Sequence, residues 1–125
     1  MKIGITTLIA PALALMATGC AEKAPEVSFS QTVKPVLDTY CSECHQPDGQ
    51  GAAASGFTTV SYESVMKGTD LGPMVVPGDA TSSNLYRLVA GEVHPTITMP
   101  HGKEKLKAED IAAIQTWIDQ GAKDN

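Results

Sequence analysis

The chain has 125 residues, of which 42% are hydrophobic, and this size suits one compact domain and excludes a disordered tail. Its formal net charge of −5 argues against nucleic acid or an anionic lipid face as a partner and favours a protein partner with a basic docking face that presents Lys or Arg. Only 5% of the residues are aromatic, so we expect a large buried cofactor to complete the core.

The first residues have the layout of a bacterial secretion signal. In "MKIGITTLIAPALALMATGC" an early Lys2 precedes an apolar run too short to span a bilayer, and small residues precede Cys20. The ending "ATGC" resembles the lipobox of lipoproteins, which implies cleavage after residue 19 and acylation of Cys20. The alternative is an ordinary signal peptide with an incidental cysteine.

This reading divides the chain into a lipoprotein signal peptide (1–19), a tether (20–27) and a folded domain (28–122). We expect an exported protein, held by lipid on the periplasmic side of a bacterial membrane. Ala21 replaces the aspartate that often retains lipoproteins at the inner membrane, which favours the outer membrane.

The first predicted helix leads directly into a pair of cysteines. Pro35 fits its first turn if Thr32 is the N-cap, whereas a helix that starts at Ser28 should kink there. The helical spacing is carried by five apolar residues: Phe29, Val33, Val36, Leu37 and Tyr40.

The remaining helices and loops are predicted from residues that typically begin or end a helix. Residues 46–56 and 91–102 are rich in glycine or proline and predict loops, and the glycines of the first would let the backbone pass close to a flat ligand. Three further helices are expected: Tyr62–Lys67 after Ser61, one capped by Asp79 or Thr81 that ends at Ala90, and one from Ala108 that ends before Gly121. No strand pattern occurs, so the fold class is all-α.

The stretch Cys41-Ser42-Glu43-Cys44-His45 matches C-x-x-C-H, the attachment signature of c-type haem. On a helix, two thiols three residues apart lie on one face and can each bond one porphyrin vinyl group. The adjacent His45 can then bind the iron.

Three alternatives compete with this interpretation. A zinc knuckle needs four ligands, and only His94 and His101 could complete the set. A thioredoxin-type dithiol would need a βαβ context that the pattern lacks, and a chance match conflicts with the position of the motif at the end of an amphipathic helix.

A second axial ligand is expected from a methionine, because a thioether raises the reduction potential of haem iron. Met99 is favoured, since Pro100 and the irregular segment before it allow a loop to hold its sulfur at the iron. Met74, His94 and His101 are the alternatives. His45 should donate its other ring N–H to a backbone carbonyl, with residues 46–56 placed to supply it.

The chain resembles a class I c-type cytochrome and, more narrowly, the monohaem planctomycete-type cytochromes c. The resemblance runs through "FSQTVKPVLDTYCSECH", "SYESVMKG", "VVPGDATSSNLYRLVAG", "TMP" and "DIAAIQTWIDQGA". It implies about four helices with long loops wrapped around one covalently attached haem c. It also implies thioethers at Cys41 and Cys44, axial ligation by His45 and Met99, and contact of Phe29 or Val33 with Trp117 and Ile118.

The expected function is single-electron transfer rather than catalysis, because no nucleophile, general base or open metal position is visible. Two alternatives remain: a haem module of a larger oxidoreductase complex, and a haem peroxidase or gas sensor whose sixth ligand is labile.

Overall fold

The computed structural model describes residues 23–125, and the predicted signal peptide and Cys20 lie outside them. Within this range the chain is helical with long loops, and a single isolated bridge joins Thr69 to Gly72. The predicted all-α, cytochrome c-like fold is confirmed. The α-helices are α1 (Lys34–Tyr40), α2 (Ser42–His45), α3 (Gln50–Ser55), α4 (Tyr62–Lys67), α5 (Asn84–Ala90) and α6 (Ala108–Asp119).

The first helical segment has Ser28 as its N-cap, and a π-helical turn precedes α1 and Pro35. The Ser28 hydroxyl accepts a hydrogen bond from the Gln31 N–H, and Phe29–Val33 then forms a π-helical turn. The N–H of Lys34 donates to the Phe29 carbonyl, one residue further back than in an α-helix. Pro35 then falls in the first turn of α1, where its missing N–H costs nothing.

Two sequence-based expectations about helices were wrong. Residues 46–56 are not loop throughout, because the alanine-rich Gln50–Ser55 forms α3, which Gly56 ends with a φ of 74°. Neither Asp79 nor Thr81 is the N-cap of α5, because that position belongs to Ser83. The Asp79 carboxylate instead accepts hydrogen bonds from Ser82 in the turn before the helix.

Helices α4 and α6 match their predictions. Ser61 and Ser64 form a reciprocal capping box at the start of α4, and Gly68 follows its last residue. Helix α6 begins at Ala108, with Glu109 and Asp110 in its first turn.

The first and last helices meet through an aromatic cluster. The ring centroids of Phe29 and Trp117 lie 5.3 Å apart, and Tyr62 packs edge-on against Phe29, also at 5.3 Å. Phe29 and Trp117 are buried, as is Ile118. The expected contact between Phe29 and Trp117 is therefore confirmed.

Residues 25–27, at the end of the predicted tether, are hydrogen-bonded to the C-terminal segment. The Gln120 side chain accepts from the Val27 N–H at 2.7 Å and donates to the Pro25 carbonyl at 2.9 Å. The Asn125 side chain accepts from the Phe29 N–H at 2.7 Å, and Lys123 pairs with Glu26 at 2.9 Å. These contacts attach residues 25–27 to the C-terminal end of the folded part of the chain.

No helix between residues 23 and 125 combines the length and the apolar character that crossing a bilayer requires.

Candidate functional site

The two thiols of the C-x-x-C-H motif line one cavity. The N–H groups of Cys44 and His45 both donate to the Cys41 carbonyl, at 3.1 and 2.9 Å, and this turn brings both thiols to the same side of the chain. Both cysteines are free and half-buried, and with His45 they line a cavity of about 450 Å³. This volume lies in the range of small-molecule and cofactor sites.

Burial raises the pKa of the Cys41 thiol to about 11, and nearby Asp38 and Cys44 add to the effect. Cys41 is therefore a neutral thiol near neutral pH. Its side chain forms part of the cavity wall.

The His45 ring is oriented by a backbone carbonyl. Its Nδ1 lies 3.0 Å from the Phe57 carbonyl oxygen, and because a carbonyl only accepts, Nδ1 carries the proton. The Phe57 ring packs edge-on against the imidazole at a centroid distance of 5.4 Å. In the neutral imidazole, this bond places the lone pair on Nε2, which is the tautomer that can bind a metal through that atom. The predicted hydrogen bond from His45 to a backbone carbonyl is therefore confirmed, but the carbonyl belongs to Phe57, one residue beyond the predicted segment 46–56.

Gly51 keeps space free beside the coordinating edge of that ring. A Cβ atom at residue 51 would lie 2.8 Å from His45 Cε1 and 2.9 Å from His45 Nε2, closer than real Cβ contacts allow. The absence of a side chain therefore lets α3 approach the imidazole and leaves the Nε2 edge unobstructed. The close approach observed at Gly51 is to the His45 ring, and the expected approach of this backbone to a flat ligand stays a prediction.

Two of the four candidate sixth ligands are methionines that line the cavity. Met99 is half-buried, and its N–H donates to the Leu88 carbonyl on α5 at 3.1 Å. Met74 is more deeply buried, within the hydrophobic core, and its carbonyl accepts from the Leu85 N–H at 2.9 Å.

The two histidine candidates differ in position. His101 lines the cavity at its exposed edge. His94 is exposed, is not among the cavity-lining residues, and places its Nδ1 2.8 Å from the Thr96 hydroxyl. The cavity therefore brings together Cys41, Cys44, His45 and Met99, with Met74 and His101 as neighbours.

The donor set and the lining fit a haem. Two adjacent thiols, an imidazole with a free Nε2 and a thioether border one cavity whose walls include Leu85, Leu88 and Val89 of α5. The zinc alternative lacks its ligands, because residues 23–125 contain no group of three or more His, Cys, Asp or Glu side chains placed to share a metal ion.

Sequence reasoning missed three parts of the site. The Phe57 carbonyl has no sequence signal, because any residue supplies a carbonyl. The apolar residues of α5 have no sequence signal that distinguishes a cavity wall from ordinary core. Lys103, which lines the cavity edge and pairs with Glu43 of the motif, has only its charge as a signal.

Comparison with known proteins identifies the class of domain. Residues 41–101 match the family model described as Planctomycete cytochrome C. The match supports a planctomycete-type cytochrome c-like domain in this part of the chain, and that family implies a haem cofactor and suggests haem-based electron transfer. Neither the curated proteins nor the solved structures yield a significant match.

Proposed function

We propose that the protein is a single-electron carrier with one haem c, attached through Cys41 and Cys44 and axially bound by His45 and Met99. The observation that carries this proposal is the meeting of these four side chains around one largely apolar cavity. A haem held there would supply a one-electron iron couple.

The protein's own contribution is to hold the ligands and exclude water. The Phe57 carbonyl fixes the tautomer of His45 and raises the basicity of its Nε2. Leu85, Leu88 and Val89 keep the cavity wall apolar, and a methionine ligand in such surroundings favours a high reduction potential. His45 and Met99 would hold the iron of a bound haem from this chain, and with both side chains bound a substrate would find no open coordination position.

Met99 is the proposed sixth ligand in preference to Met74. Met74 is part of the buried hydrophobic core, whereas Met99 is half-buried in an irregular segment and packs only against the edge of that core. Leu88 fixes the backbone of Met99 and leaves its side chain free to reach into the cavity.

Covalent attachment and ligation are tested by two measurements on the mature protein. Mass spectrometry under denaturing conditions should show one added haem, which Cys41→Ala together with Cys44→Ala should remove. The ferric protein should show the far-red sulfur-to-iron charge-transfer band, and Met99→Ala should abolish it. Met74→Ala, a matched change in the same cavity, should retain it. The reverse pattern would assign the ligand to Met74, and a high-spin spectrum of the unmodified protein would contradict the carrier proposal.

Export and anchoring form the second part of the proposal. The N-terminal pattern ending in "ATGC" supports acylation of Cys20 and residence on the periplasmic side of a membrane, with the outer membrane favoured by Ala21. Fractionation after labelling with a fatty acid should find the label in the membrane-bound protein. Cys20→Ala should release the haem-loaded domain into the soluble periplasmic fraction, and membrane retention of that variant would argue against a lipid anchor.

A further inference from the structure

A second concavity lies beside the haem cavity and opens to the surface. It is a groove of about 350 Å³, here called the Leu71 groove, and its apolar lining consists of Leu71, Pro73, Met74, Leu88, Val93 and Ile97. None of the residues that line it is charged.

The groove concentrates apolar side chains that the fold leaves in water. Leu71 is fully exposed and Ile97 is 52% exposed, and these are two of the four exposed large hydrophobic residues in the described part of the chain. Leu71 stands at the tip of the turn closed by the Thr69–Gly72 bridge. Packing within the domain does not account for either side chain, and clustered exposed apolar groups mark interaction sites.

The groove shares a wall with the haem cavity. Met74 and Leu88 line both concavities, so the floor of the groove is the wall of the cofactor site. A protein seated in the groove would therefore be separated from the cofactor by about one layer of side chains. A redox protein is the occupant that this position favours, because a short distance to the cofactor speeds electron transfer.

Charge and size specify the occupant further. Exposed acidic residues, Asp70 and Glu92, immediately precede the lining residues Leu71 and Val93, and the whole chain has a net charge of −5. A second copy of the chain would bring the same negative charge, whereas a basic protein would be attracted. The groove is small, as in the limited interfaces of transient electron-transfer complexes.

From these observations we propose that the Leu71 groove is the docking surface for a redox partner that presents an apolar contact surrounded by basic residues. The proposal rests on the proposed electron-carrier function. In the docked complex one electron leaves the reduced domain and enters the partner, so the domain is oxidised by one electron and the partner reduced by one, with no bond or proton transferred.

The test compares the haem-loaded protein with its Leu71→Ser and Ile97→Ser variants. Stopped-flow kinetics would follow electron exchange with a c-type cytochrome of positive net charge as the probe. The rate of electron exchange should fall about five-fold or more in each variant, because truncating a side chain at the centre of an interface weakens binding by such factors. The wild-type rate should also decrease with rising salt. Val60→Ser is the matched control, because Val60 is 49% exposed and lies outside the groove.

Results that contradict the docking surface differ from those that contradict the electron-carrier function. Rates in the groove variants equal to that of Val60→Ser would overturn the docking proposal, as would a wild-type dimer that Leu71→Ser dissociates. Reduction by ascorbate, which needs no docking, should be the same in all variants. A wild-type protein that fails to cycle with ascorbate and an oxidant would contradict the electron-carrier function itself and not the location of the docking surface.

Discussion

Glu43 and Lys103 form an ion pair that joins the C-x-x-C-H motif to the segment following Met99. The two residues are separated by 60 positions in the chain, and both side chains remain partly exposed. The bond to Glu43 raises the pKa of Lys103, so the ammonium stays charged over the physiological range. Residues 101–105 are exposed, and this pair attaches them to α2.

Removing the pair should loosen the segment that carries Met99. In Lys103→Met we expect imidazole to displace the sixth ligand faster, by no more than about five-fold because exposed ion pairs are weak. Salt near 1 M should produce a similar change in the wild type by screening the pair. Lys105→Met removes a charge from the same segment and should leave the rate unchanged. If both substitutions changed the rate equally, the cause would be the loss of a positive charge and not the loss of the Glu43–Lys103 pair.

Gly51→Ala should destabilise the protein although alanine is the better helix former. In an exposed helix the change would stabilise by about 0.5–1 kcal/mol, but here the new Cβ atom would press on the His45 ring and the Cys44 carbonyl. We expect a net loss of about 1–3 kcal/mol, together with a lower haem-bound fraction. Ala53→Gly, at an exposed position of the same helix, measures the backbone contribution alone. Stabilisation by Gly51→Ala would show that α3 moves away from His45 without cost.

Gln120→Ala should free residues 25–27 from the domain. The side chain makes two hydrogen bonds with that segment, to Val27 and Pro25, and their loss should lower the free energy of unfolding by about 1–2 kcal/mol. Amide hydrogen exchange at Val27 should become faster. Gln115→Ala, on the same helix, serves as the control. Unchanged protection at Val27 would mean that Asn125 and the Lys123–Glu26 ion pair hold the segment without Gln120.

The stabilising effect of Asp79 should be lost in acid. Hydrogen bonds from the hydroxyls of Ser82 and Thr81 and from the Ser82 N–H lower the pKa of this carboxyl. Its stabilising contribution is therefore complete above the unfolded-state pKa near 4 and disappears as the pH falls through the lower folded-state value. Denaturant unfolding of the wild type and Asp79→Ala should show a difference at about pH 7 that shrinks toward about pH 2. A difference independent of pH would indicate that the charge is not involved.

Sequence patterns predicted those elements whose signals are local. The Ser61 cap and Gly68 delimit α4, and the acidic first turn and apolar stripe delimit α6, because caps and helical periodicity act within a few residues. The C-x-x-C-H spacing identified one side of the site for the same reason.

The incorrect or missing predictions involve contacts between distant residues. Gly51 was assigned to a loop because glycine is a poor helix former, yet α3 forms where alanines follow it and the His45 ring needs the vacant side-chain position. Asp79 looked like a helix cap because an Asp cap and an Asp turn use the same side-chain hydrogen bonds. The attachment of residues 25–27 depends on Gln120 and Asn125, whose roles only the folded chain reveals.

Leu88 contributes both to the cavity proposed to hold the haem and to the groove proposed to bind a partner. Its carbonyl holds the backbone of Met99, while its side chain contributes to both the haem cavity and the Leu71 groove. A substitution that enlarges or shrinks this residue would reshape both spaces at once. Under the proposed carrier function and docking surface, a change at Leu88 would alter partner affinity and reduction potential together, so adaptation to a new electron acceptor would have to adjust both at this position.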